Sequence, residues 1–422
     1  MDAGDASSKM SEIGWSIVMN DLGLSETGQS LVERAAALAA ERFAPRAADY
    51  DQRAAFPAED FRDLFEAGLH AAAVPREYGG LGLGPYRRDV LTLWMMTKEL
   101  AKADLSLARC WEGHVNSLVL LDGLATEEQK TRWFDGVVNR GETWVAWSGE
   151  PQVPAPGETG RFGTTVTMVP EGLRIDGTKV FATSAGGARW AILLVNQSGP
   201  GGARHATSPE DVLMVACDLS DPSVSFDPSW WNPIGMRATA SHLVRFSGTL
   251  IPRESIIGRA GQYLSEGWQT CFTPHYAASF LGAAEAACLF AIDLLGAQRK
   301  GDDPFVQQHI GQMVVNVETG HLWLRHVARL WENGQPDAAK SAGIRARSLI
   351  ETLAEDTVKR ATRACGARSF NRPSALERIY RDLSFYVRHD NADHILATIG
   401  SSVLGRSHDQ SFFTPPRAER DR

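Results

Sequence analysis

Residues 172–185 read GLRIDGTKVFATSA, and upstream residues 144–151 read WVAWSGEP. Both are short runs of β-branched and aromatic residues bounded by Gly, Pro, Ser or Asp, the pattern of strands. Within VFATSA, a side-chain period of two puts Phe181 and Thr183 on one face. TTVTMV (164–169), WAILLV (190–195), VLMVACDL (212–219) and HLVRF (242–246) repeat the strand pattern. Residues 142–252 are therefore expected to form a middle β-domain, a barrel or sandwich. The Gly-, Ser- and Pro-rich stretch 196–211 reads as a hairpin loop inside it.

The pattern changes on both sides of this block. Residues 1–141 carry apolar positions at helical spacing, such as Leu31, Ala35, Leu38 and Ala39, broken by Phe56-Pro57, by PREYGGLGLG and by Gly123. In residues 253–422 the helical period returns in long segments near 265–298, 304–333, 336–366 and 374–404. Apolar faces of that length must bury one another, which predicts a four-helix bundle with surplus faces for oligomerisation. The expected class is α+β, in the order helices, strands, helices.

Composition narrows the function. The chain has 422 residues, 43 Lys and Arg against 51 Asp and Glu, and a net charge of −8. Without a long basic block, that balance disfavours nucleic acid. The most apolar stretch, Tyr276–Leu295, is interrupted by Glu285 and Asp293 and reads as a core helix rather than a membrane span. An acidic, polar start without an apolar run argues against a secretory signal, so a soluble cytoplasmic protein is expected. Five scattered cysteines without CxxC fit buried thiols rather than disulfides or zinc. No HExxH or P-loop motif is present.

The strings themselves carry a resemblance. WVAWSGEP and GLRIDGTKVFATSA resemble the two flavin-contacting strands of the acyl-CoA dehydrogenase superfamily. GAQRKGDDPFVQQHIG (296–311) resembles its helix-breaking Arg-to-Gln segment, and ACGARSFNRPSALERIYRDL (364–383) its Gly-rich turn and last helix. The resemblance runs in order from about residue 27 to 405. It implies a bound FAD or FMN, with Trp147, Ser148, Phe181, Thr183 and Ser184 at the isoalloxazine. Arg299, Gln308 and Gly366 would meet the adenosine half across a subunit interface, in a homotetramer.

Dehydrogenases of this superfamily abstract an α-proton with a Glu in a YEGT-like string after the RD pair. Here the matching string is HDNA, with His389 and Asp390 in the two decisive places. This departure resembles the two-component flavin monooxygenase branch, which includes dibenzothiophene monooxygenases and amino-sugar nitrososynthases. That branch implies reduced flavin from a separate NAD(P)H-dependent reductase, and O2 as co-substrate. The implied catalytic set is His389 as a base oriented by Asp390, His114 in proton delivery, and Ser148 as a hydrogen-bond donor alongside Thr183. The nitrososynthase likeness adds Glu112 and Arg329 as contacts to a thymidine diphosphate amino sugar, N-oxygenated to a nitroso sugar. Two rival readings remain: a dehydrogenase or oxidase with Asp390 as base, and a non-catalytic member of the superfamily.

Overall fold

The computed structural model describes residues 22–87, 89–151, 162–198, 211–389 and 392–406. The N-terminal part holds α1 (Glu26–Leu38), α2 (Ala44–Arg53), α3 (Ala58–Glu66), α4 (Val90–Ala103), α5 (Leu105–Leu124) and α6 (Glu127–Arg140). Local chemistry sets their ends. Ser25 accepts from the Gly28 amide at 3.0 Å to start α1. Thr126 and Gln129 form a reciprocal capping box at the start of α6, and Gly141 at φ +66° ends that helix. The Gln129 amide also donates to the Glu254 and Ile256 carbonyls, both at 2.7 Å, fastening α6 to the exit of the β-domain.

Seven strands follow: β1 (Trp144–Trp147), β2 (Thr165–Val169), β3 (Gly172–Ala182), β4 (Trp190–Gln197), β5 (Val212–Asp218), β6 (Val224–Asp227) and β7 (His242–Ile251). They join one mixed sheet of order β1-β4-β2-β3-β7-β6, with β5 on the other edge of β4. Strand β6 is absent from the sequence reading: VSFD is half polar and ends in Asp, whereas the equally short β1, WVAW, is apolar throughout. The continuous apolar run of β4 is explained by burial on both faces. Ile192 and Leu194 join the helical core, whereas Ala191, Leu193 and Val195 turn into a second core that the curled sheet encloses.

After a single turn, α7 (Gln262–Ser265), come α8 (Thr273–Ala297), α9 (Pro304–Glu332), α10 (Pro336–Cys365), α11 (Ala375–Tyr386) and α12 (Ala392–Val403). The segment expected as one helix over 374–404 is two, with Asp390 and Asn391 outside the described residues between them. One stretch, Trp268–Ala297, is long and apolar enough to cross a membrane by length and composition, and more than half of it is buried inside the fold. Its small residues permit close packing. A Cβ on Gly282 would lie 2.4 Å from the Lys98 carbonyl oxygen of α4. Lys98 and Lys102 each reach Glu285 of α8 at 2.9 Å. Burial opposes ionisation of Glu285, but the two ammoniums hold its carboxyl well below the usual range. All five cysteines are free and buried.

Candidate active site

A cavity of about 600 Å³ opens between the sheet and the bundle. Its sheet wall is made by the ends of β1 and β3. Trp147 is buried, and its indole N–H donates to the Thr183 carbonyl at 3.0 Å, which ties the two strand ends together. Gly149 follows β1 at a close approach: a Cβ there would stand 2.7 Å from the Val180 carbonyl oxygen. Phe181 sits at φ +51°, where the β3–β7 register shifts between Lys179 and Ala182. An aromatic in the left-handed region costs about 1–3 kcal/mol. The conformation turns the ring outward, 58% exposed, edge-on to Trp230 at 5.0 Å. Phe181 and Thr183 thus share the cavity through a bulge rather than plain alternation. Behind Thr183 runs a hydroxyl chain: Ser241 Oγ donates to Thr183 Oγ1 at 3.2 Å and lies 2.7 Å from Thr239 Oγ1. Having accepted that bond, the Thr183 hydroxyl keeps its own proton for a ligand.

The opposite wall is helical. Arg109, Gly113, Asn116 and Leu120 line the cavity as one stripe of α5 at i, i+4, i+7 and i+11. Asn116 Oδ1 is held at 2.7 Å by Nδ1 of His275, whose Nε2 meets Thr97 Oγ1 at 2.6 Å. Burial pushes His275 down to about 3, so the ring is neutral. Arg109 is pinned from behind by Glu112 at 3.2 Å, and its guanidinium lies 5.8 Å from the ring centres of both Tyr276 and Tyr386. Glu112 also accepts from the Tyr386 and Ser279 hydroxyls. Burial raises the Glu112 carboxyl, against the pull of Arg109 and those donors.

His389 stands just past the end of α11, against Tyr276 at 5.3 Å, and opens onto the cavity. Arg109 Nη2 faces its Nε2 at 3.4 Å. A guanidinium only donates, so Nε2 is the acceptor in this contact. Among the described residues lining the cavity are two arginines and two histidines, and no Asp or Glu.

Trp147, Ser148, Phe181, Thr183 and His389, far apart in sequence, therefore meet around one space. Other expected residues do not reach it. His114 is fully buried behind the wall: Nε2 meets the His70 carbonyl at 3.0 Å, Nδ1 accepts from the Trp144 amide at 3.1 Å, and the ring stacks on His70. Burial and the neighbouring His70 hold it well below its ordinary pKa, so it is a neutral tie rather than a proton donor. Five residues beyond Arg109, it points roughly 140° away from the cavity stripe. Glu112 lies one layer behind Arg109 and does not line the cavity. Ser184 is buried at φ +64°, its amide donating to the Thr239 carbonyl at 2.8 Å, and it too is off the wall. Arg329 is exposed on the last turn of α9, away from the cavity. Arg299 and Gln308 are exposed, and Gly366 caps α10 at φ +74°; none lines the cavity of this chain. Asp390 lies outside the described residues.

Sequence reading missed Arg109, Asn116, Ser241 and Tyr386. RCWEGHVN puts Arg109, Gly113 and Asn116 on one helical face, but the pattern does not say which face of α5 meets the cavity.

A helical layer, a curled mixed sheet and a long-helix bundle around such a slot define an acyl-CoA dehydrogenase-type fold. Residues 25–141 match the family described as acyl-CoA dehydrogenase, N-terminal domain, and residues 275–394 match acyl-CoA dehydrogenase, C-terminal domain. The chain belongs to the acyl-CoA dehydrogenase superfamily. It is 25% identical to YdbM of Bacillus subtilis, a protein assigned to the acyl-CoA dehydrogenases, over 82% of this chain and 88% of that one. It is 23% identical to dibenzothiophene monooxygenase of Mycolicibacterium goodii, over 84% and 89% respectively. Among solved structures, FMN-bound TdsC of Paenibacillus sp. A11-2 has the same fold, with a TM-score of 0.80 and 22% identity over 91% of this chain and all of that one.

Proposed function

We propose that this chain is the oxygenase of a two-component flavin monooxygenase, working with FMN or FAD reduced by a separate NAD(P)H-dependent reductase. One observation carries the reading. The cavity sets an imidazole, His389, opposite the strand-end hydroxyls of Ser148 and Thr183, where it can take a proton from a bound substrate. The likeness to dibenzothiophene monooxygenase supports the same side.

The walls fit a flat, polar-edged ring system. Trp147 and Phe181 would hold its faces, the Ser148 and Thr183 hydroxyls its polar edge, and the close approach at Gly149 keeps side-chain atoms out of the slot. Bound reduced flavin would supply the electrons that activate O2. Trp231, Tyr276, Phe385 and Tyr386 keep bulk water from the reacting atoms. At 3.4 Å the Arg109–His389 contact is long for a hydrogen bond, so a substrate donor can replace it and Nε2 can take the substrate's proton. Arg299, Gln308 and Gly366 are offered to the flavin of a second copy, in a homotetramer; such contacts would favour FAD, whose adenosine FMN lacks.

A nucleotide-linked amino sugar rested on Glu112 and Arg329. Since neither lines the cavity, the reading is set at oxygenation of a nucleophilic heteroatom, with the amino sugar as one substrate to try. The test combines the purified protein with a flavin reductase, NADH, O2 and a panel of amino sugars, indoles, thiophenes and acyl-CoAs, read by product mass. Addition of oxygen is expected. Loss of two hydrogens from an acyl-CoA without reductase would replace the proposal with a dehydrogenase, and failure to bind flavin would leave a non-catalytic protein.

A further inference from the structure

Among the described residues, the charge of the cavity wall opposes the charge of the chain. Acidic residues outnumber basic ones by 51 to 43 overall, yet the described cavity wall carries Arg109, Arg388, His389 and His394 and no carboxylate. In a slot otherwise lined by uncharged side chains, the largely buried guanidinium of Arg109 acts at low dielectric, where it repels a cationic ligand and attracts an anionic one.

Arg109 is the member built for recognition. Its side chain is only 14% exposed. Glu112 fixes it from behind, and that carboxylate spends its oxygens on Arg109, Tyr386 and Ser279 within the wall rather than facing the cavity. The tyrosine rings of 276 and 386 flank the guanidinium plane. The fork is thus immobilised before any ligand arrives, which is the arrangement that favours paired hydrogen bonds to a carboxylate, sulfonate or phosphate group. Arg388, by contrast, is largely exposed and reaches outward to Glu355 at 3.2 Å. Trp231 and Phe385, ring centres 5.7 Å apart, offer a surface for an unsaturated body beside this cationic end.

We infer that the substrate is an anionic, aromatic-bodied molecule whose negative group is bound by Arg109 on the α5 wall. The inference rests on the monooxygenase reading only in taking this cavity as the substrate site.

Calorimetric titration of the FMN-loaded protein with benzoate and with benzamide, its neutral isostere, tests this. Benzoate is expected to bind at least tenfold more tightly. Arg109→Met should abolish that preference while benzamide affinity stays within about threefold, and Arg109→Lys should keep part of it. FMN affinity is measured separately for each variant and should not change. Equal wild-type affinity for the two probes overturns the inference, and that comparison needs no variant. Retention of the preference in Arg109→Met overturns it too. Loss of FMN binding with the benzoate preference intact would assign Arg109 to the flavin phosphate instead. Should wild-type protein bind neither FMN nor FAD, the oxygenase reading fails, while the same titrations on the flavin-free protein still decide what Arg109 recognises.

Discussion

His114 and His389 are both histidines set beside the same α5 helix, yet their surroundings give them opposite characters. His114 has both ring nitrogens spent on backbone groups, of His70 and Trp144, and lies under a second imidazole. It joins the helical layer to the first strand. His389 sits at a helix end, exposed to the cavity, with a guanidinium at one nitrogen. The difference teaches that placement decides what an imidazole does: full burial holds a ring neutral and inert, whereas a place on a cavity wall leaves it open to a ligand.

The largest effect should come from His389. His389→Ala is expected to lower oxygenation turnover by roughly a hundredfold or more, with flavin affinity within about threefold of wild type. Unchanged turnover would erase the contrast between the two histidines. His114→Ala should act on stability alone, costing about 3 kcal/mol from two lost buried hydrogen bonds and a void. Urea unfolding would measure that loss, and turnover per folded molecule should stay near wild type.

A finer distinction lies in pH. The unfolded His114 gains a proton near pH 6.5, while the folded ring titrates well below that. As pH falls through 6.5, only the unfolded wild-type chain takes up this proton, so wild-type stability falls relative to His114→Asn. The gap between the two in urea melts should therefore shrink by about 1.4 kcal/mol from pH 7.5 to 5.5. A constant gap would mean that His114 titrates normally and is not locked. The smallest effect is expected at Arg329→Ala, exposed on α9: within about 0.5 kcal/mol in stability and twofold in turnover. A large loss of activity there would return Arg329 to the site through a neighbouring copy.

Much of the molecule was legible before any coordinates. The long C-terminal helices announced themselves because the 3.6-residue period accumulates over many turns; residues 304–333 and 336–366 are found at 304–332 and 336–365. Six of seven strands were readable from β-branched or aromatic runs closed by turn residues; β6, VSFD, is as short as β1 but half polar, so it lacked the apolar run that marks WVAW. Trp147, Ser148, Phe181, Thr183 and His389 were named from strings and do line one cavity. The prediction for Phe181 and Thr183 reached the right pairing by an incomplete route, because local alternation cannot foresee a register shift paid for elsewhere in the sheet.

What the sequence determined by itself was periodic: which segments are helices or strands, their order, and the family strings they carry, since local propensity and pattern repeat along a chain. The tertiary structure alone decided which side of α5 meets the ligand space, that His114 and Glu112 serve behind the wall, and that Arg109 stands on it. A rotation about a helix axis and a contact across 280 residues, such as Arg109 with His389, depend on how finished elements dock, and no local pattern records that.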